Sequence, residues 1–199
     1  MAPRILDAFC GAGGAAVGYH RAGFEVVGVD INPQPNYPFE FHQADALEFL
    51  ADHGHEYDVR HASPPCQHYA AVTSWRGNQD DHPDLVDATR DALLLTGGSY
   101  VIENVPGAPL RRDLTLCGSM FGLRVRRHRI FESSAPLTAP EKGCRHAGLL
   151  PFMHKGERAY ADAMGCTWMS SMEGRQAIPP AYTEHIGLQL LAQIVTVSA

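Results

Sequence analysis

The chain has 199 residues, 45% hydrophobic and 19% charged, which is ordinary globular composition with enough length for a single well-formed core. No apolar run approaches the roughly 20 residues needed to span a bilayer, and five cysteines, an odd number, do not make a disulfide framework. The net charge of −6 runs against a partner bound chiefly by phosphate neutralisation, although a basic face can sit on an acidic protein.

The opening Met1-Ala2-Pro3-Arg4 leads straight into an apolar segment, so a signal peptide is not expected and the chain is read as cytoplasmic. Residues 4–9 predict a first buried strand, followed by the glycine-rich run Gly11-Ala-Gly-Gly14 and a helix that stops at Gly23. Residues 25–29 predict a second strand ending at Asp30, and residues 41–44 a third ending at Asp45. A helix through Leu50 follows, then a strand over 57–62 that runs into Ser63-Pro-Pro-Cys66. Residues 84–96 are helical by period, and 100–103 form a fifth strand. Strands alternating with helices at this spacing predict an α/β fold, a mostly parallel sheet with helices on both faces. Residues 133–165, rich in Pro, Gly and His, break the rhythm as an irregular insertion in one 1–199 domain, and 182–197 return to a helix-and-strand pattern.

The chemistry-bearing residues gather at strand ends. Glycines in the first βα turn let the backbone approach a ligand closely, and Asp30 ends the next strand, where it can take the hydroxyls of a ribose. Two prolines set Cys66 on a rigid turn at the same edge of the sheet, which makes it the candidate nucleophile among five cysteines. Glu103, at the end of the fifth strand, is a carboxyl that a partly apolar cleft could turn into a proton donor. Six arginines fall between 111 and 129, either as a solvated basic face or, for Arg127 and Arg129 on one face of a strand, as a pair directed at the cleft. Such a pair could lower a thiol pKa, hold a phosphate or orient a base.

Together, Asp-Ala-Phe-Cys-Gly-Ala-Gly-Gly (7–14), Ser-Pro-Pro-Cys-Gln (63–67), Glu-Asn-Val (103–105) and Arg-His-Arg (127–129), in this order, resemble the cytosine-5 DNA methyltransferases. The resemblance covers about 4–131 and resumes at Gln176-Ala-Ile-Pro-Pro180, similar to the motif that packs back beside the cofactor. It implies a Rossmann-like fold with S-adenosylmethionine as cofactor. Asp7, Phe9, Gly11, Gly13 and Pro64 would line the cofactor pocket, Asp30 and Ile31 would meet the ribose, and Asp45 with Ala46 the adenine. Cys66 would add to carbon 6 of cytosine, Glu103 would protonate nitrogen 3, and Arg127 and Arg129 would complete the catalytic set. Ser63, Pro65, Gln67 and Asn104 would face the substrate.

The same resemblance implies double-stranded DNA as partner, its target cytosine flipped into the pocket, with residues 68–82 closing over it. The protein would act as a monomer or with a separate recognition protein, as in a small orphan enzyme of the kind bacteriophages carry. RNA or a free cytosine nucleotide is the alternative substrate, and a non-catalytic binding module the alternative class. Two departures stand out. Val125 occupies the place where the family usually carries glutamine, and 133–165 is only a stub of the usual target-recognition domain. Within it, Cys144, His146, His154 and Cys166 match no common zinc spacing, so no metal is expected and the histidines are read as surface residues.

Overall fold

The structure, a computed structural model, describes residues 2–146 and 157–197. Seven strands form one sheet in the order β3-β2-β1-β4-β5-β7-β6. They are β1 (Arg4–Ala8), β2 (Glu25–Asp30), β3 (Glu40–Gln43), β4 (Val59–Ala62), β5 (Ser99–Asn104), β6 (Leu114–Leu116) and β7 (Arg129–Ser133). The first five are parallel, while β7 runs antiparallel between β5 and β6. Successive side chains on a strand point to opposite faces, so Ile5 joins Tyr19, Phe24, Tyr182 and Ile186 on one side. Leu6 joins Leu50, Leu93 and Ile102 on the other.

The helices are α1 (Gly14–Ala22), α2 (Ala46–His53), α3 (Ala71–Arg76), α4 (Val86–Thr96), α5 (Glu157–Ala163), α6 (Ser171–Gln176) and α7 (Pro180–Val197). Among the described residues no helix is long and apolar enough to cross a membrane. Strand order reverses at β1, with β2 and β3 to one side and β4 and β5 to the other. In open α/β sheets that switch point opens a crevice at the strand carboxyl ends.

Several expectations are corrected. Residues 182–197 do not divide into helix and strand, because α7 is one helix laid along α1. Strand β7 begins at Arg129, so Arg127 precedes it and the two arginines do not share a strand face. The insertion is not wholly irregular, since α5 lies inside it. The short strand β6 and helix α3 have no expected counterpart.

The α1–α7 contact depends on Gly18, where an added Cβ would lie 2.0 Å from Thr183 Oγ1 and 2.2 Å from the Pro180 carbonyl. Thr183 Oγ1 in turn donates to the Ala15 carbonyl at 2.8 Å. Overpacking of this kind costs about 1–3 kcal/mol, so Gly18→Ala should lower the urea midpoint at unchanged slope. A midpoint equal to that of the unsubstituted protein would show that the two helices are free to separate.

Candidate active site

The strand register brings the motifs to one edge. Ala8 pairs with Val29 and Ala62, and Ala62 pairs with Ile102, so the residues that follow each strand converge. Because β7 is antiparallel to β5, its first residue, Arg129, lies beside the end of β5. A cavity of about 250 Å³ opens there, lined by Asp7, Phe9, Gly11, Asp30, Ile31, Ser63, Pro64, Pro65, Cys66, Gln67, Glu103 and Arg129 among others. Twelve of the seventeen site residues expected from sequence therefore share one wall.

The other five stand apart. Gly13 has φ 82° and caps α1, and a Cβ there would meet Pro38 Cδ at 2.8 Å. It shapes the turn without lining the cavity. Asp45 spends Oδ1 on the Leu47 and Glu48 amides at the start of α2, at 2.8 and 3.1 Å, and Ala46 is packed in the core. Asn104 Nδ2 donates to the Pro64 carbonyl at 3.0 Å, which locks the Pro-Pro-Cys turn from behind. Arg127 is buried and donates to Tyr160 Oη at 2.9 Å and to the Arg175 carbonyl at 2.8 Å. It clasps α5 and the end of α6 to the core. The six arginines form no single basic face: Arg127 is buried, Arg129 turns inward, and Arg111 pairs with Asp113 at 3.0 Å.

Cys66 is partly exposed at the cavity wall. Burial pushes its thiol pKa up and Glu103 adds to that, while Arg129 and Arg127 oppose it without prevailing. The arginine pair thus moderates the thiol instead of converting it to a standing thiolate. Glu103 is 5% exposed, and burial likewise raises its pKa against the pull of Arg129, Arg127 and the Ser63 hydroxyl. Arg129 Nε lies 2.6 Å from Glu103 Oε1, an ion pair that lacks hydrogen-bond alignment. Burial thus favours the protonated form of both groups more than water would.

A buried polar chain, not anticipated from sequence, supports this corner. Tyr19 Oη meets His61 Nδ1 at 2.9 Å, and His61 Nε2 meets Ser63 Oγ at 2.9 Å. Burial pushes the His61 pKa down to about 3, so the ring is neutral and orients Ser63 toward Glu103. Unexpected too are Asn32, Gln34 and Glu173 in the cavity wall. Asn36 Nδ2 reaches both Glu173 carboxylate oxygens at 3.0 Å, joining the loop after β2 to α6 across the mouth. Gln176, Ala177 and Ile178 complete the lining on that side, and Trp168 Nε1 donates to the Ala12 carbonyl at 2.9 Å.

The glycine turn is shaped for a ligand. Phe9 holds φ 57°, a conformation that costs a non-glycine residue about 1–3 kcal/mol. Gly11 N–H donates to Asp30 Oδ2 at 3.0 Å, and Asn32 N–H to Oδ1 at 2.9 Å. Asp7 is wholly buried, and among the described residues neither of its oxygens has a hydrogen-bond partner. Burial raises its pKa, although the Ala16 backbone acts to lower it.

No family model matches the chain. It is similar to the Type II methyltransferase M.HgiDI of Herpetosiphon aurantiacus, 26% identical over 136 residues, which cover 60% of this chain and 42% of that protein. The Type II methyltransferase M.FnuDI of Fusobacterium nucleatum is 27% identical over 118 residues, 55% of this chain and 34% of its own length. The chain thus spans less than half the length of these two relatives. Among solved structures, the Entamoeba histolytica methyltransferase EhMeth superposes with a TM-score of 0.50 at 18% identity, over 82% of this chain and 65% of that one. The fold is the Rossmann-like α/β fold of S-adenosylmethionine-dependent methyltransferases. The cavity fits that cofactor. Asp30 and Glu173 place carboxylates in its wall, which suits a ligand carrying a sulfonium and an ammonium, and the N-terminal turn of α1 offers amides to a carboxylate.

Proposed function

We propose that the protein is an S-adenosylmethionine-dependent DNA methyltransferase that methylates carbon 5 of a cytosine through a covalent adduct to Cys66. The observation that carries the reading is the juxtaposition, in one cavity wall, of the Cys66 thiol with the buried Glu103 carboxyl and Arg129 beside it. The relatives named as Type II methyltransferases support the methyl-transfer class.

Carbon 5 of cytosine is a weak nucleophile until electron density is pushed into the ring. The Cys66 thiolate forms a bond to carbon 6, and the ring electrons move toward nitrogen 3, which takes the proton of Glu103. The carbon 5–carbon 6 double bond is thereby replaced by one between carbon 4 and carbon 5, an enamine with the ring's amino nitrogens that is nucleophilic at carbon 5. When bound, S-adenosylmethionine supplies an electrophilic methyl group to carbon 5. Loss of the carbon-5 proton to a base then restores the carbon 5–carbon 6 double bond and expels Cys66 as thiolate, and nitrogen 3 returns its proton to Glu103. Arg129 steadies the Glu103 carboxylate left after protonation of the ring. A base stacked in a duplex lies out of reach of such a wall, so the target nucleotide is flipped out. The segment after Cys66, with α3 in it, covers the nucleotide, its ends tied by His68 Nδ1 to the Gln79 and His82 carbonyls at 3.0 and 3.3 Å.

Methyl-labelled cofactor offered separately with duplex DNA, RNA and dCMP tests the proposal. The expected product is 5-methylcytosine in DNA, identified by mass spectrometry of the digested nucleosides. N4-methylcytosine or N6-methyladenine would overturn the chemistry, and label confined to RNA or dCMP would overturn the substrate.

Asn104 serves in this scheme as a positioning residue. Asn104→Ala frees the Pro64 carbonyl and loosens the turn that aims Cys66, and small misplacements of a reacting group cost about 10²-fold. The expected result is a drop of that size in single-turnover rate with cofactor affinity retained. Loss of both together would mean that Asn104 only supports the fold.

A further inference from the structure

Away from the cavity, four side chains that can ligate a soft metal meet at one point: Cys117, His128, Cys144 and His146. We propose that they form a structural zinc site. Each offers one ligand atom, and all four atoms lie within 4.8 Å of one another. A zinc ion with bonds of about 2.3 Å to sulfur and about 2.0 Å to nitrogen sets each sulfur about 3.5 Å from each nitrogen across the tetrahedron. Cys117 Sγ stands 3.6 Å from His146 Nε2, and His128 Nε2 stands 3.3 Å from Cys144 Sγ. The Cys144 Sγ to His146 Nε2 separation, 2.5 Å, opens on metal binding. The His128 and His146 rings cross at 86° with centroids 4.9 Å apart, so both Nε2 atoms converge without stacking.

The surroundings suit a closed four-ligand site. Ser119 Oγ lies 3.4 Å from Cys117 Sγ and 3.6 Å from Cys144 Sγ, and it accepts the Arg145 amide at 3.0 Å. Such outer contacts orient first ligands. Two thiolates and two imidazoles with no carboxylate among them select zinc over magnesium or calcium. The four come from three separate segments: Cys117 just after β6, His128 just before β7, and Cys144 with His146 within the insertion. His128 sits between Arg127 and Arg129, so the metal fixes the backbone from which both arginines spring. Surface histidines were expected here. Of the quartet considered from sequence, His154 lies outside the described residues, and Cys166 is buried in another cluster with Met164 and Met169.

The inference is independent of the reaction. The full chain, purified under reducing conditions and passed through EDTA, should retain one zinc per chain by elemental analysis. Cobalt(II) added to zinc-stripped protein should give the charge-transfer and d–d bands of a tetrahedral two-thiolate site. Cys144→Ser with His146→Ala should lose both signals, and since both side chains are exposed its circular dichroism should persist. Cys66→Ala should keep both signals. A folded wild-type protein without zinc or cobalt bands overturns the site, as does metal undiminished in the double variant or a Cys117–Cys144 disulfide in its place.

Discussion

Cys66→Ala protein is expected to transfer methyl groups at least about 10³-fold more slowly than the unsubstituted enzyme, because a nucleophile that forms the reactive intermediate has no substitute. Its cofactor affinity should stay nearly unchanged. The turn around position 66 does not depend on the thiol: it is set by Pro64 and Pro65, locked by the Asn104 amide, and continued by the Cys66 carbonyl accepting the Tyr69 N–H at 3.0 Å, a bond alanine keeps. A duplex carrying fluorine on carbon 5 of the target cytosine sharpens the test. Fluorine cannot leave as a proton, so expulsion of Cys66 is blocked and the protein should remain joined to DNA through denaturing electrophoresis. The alanine variant should form no such adduct. Activity within tenfold of wild type, or an adduct formed by the variant, would remove the covalent mechanism and leave direct transfer to a nitrogen as the chemistry to examine.

Much of this site was legible because residues at the carboxyl ends of parallel strands must meet. Asp30, Cys66 and Glu103 each follow an apolar run of strand length, and β-register then does the rest. What escaped the sequence depended on tertiary detail. Arg127 and Arg129 were placed on one face by strand alternation, but β7 begins only at Arg129, and Arg127 turns instead to Tyr160, whose neighbourhood no local pattern announces. Asp45 has the features of a helix N-cap, and that physics claims its oxygen. Residues 182–197 read as a helix-and-strand pattern, whereas packing on α1 goes with one continuous helix. Val125 is wholly buried in one cluster with Tyr160 and Met164. No motif marks His61 or Tyr19, and only their hydrogen bonds reveal the support they give Ser63.

Glu103→Gln carries the second large effect, a loss of about 10²–10⁴-fold in methyl transfer, the usual worth of a positioned proton donor. Glutamine keeps the shape and can hydrogen-bond nitrogen 3 but cannot deliver a proton. The pH profile distinguishes this role from simple packing. The reactive microstate holds a proton on Glu103 and none on Cys66; burial raises both pKa values, and a carboxyl is ordinarily more acidic than a thiol. Below the Glu103 pKa the acid is fully protonated, so the single-turnover rate rises tenfold per pH unit as the thiolate population grows. Above it, each gain in thiolate is cancelled by an equal loss of acid, and the profile turns flat until Cys66 itself ionises. The break should lie above the ordinary carboxylate range, because burial outweighs the arginines. In Glu103→Gln there is no acid to lose, so the slow rate should keep climbing with pH straight through that region. A break that survives the substitution would assign it to another group and deprive Glu103 of its proton.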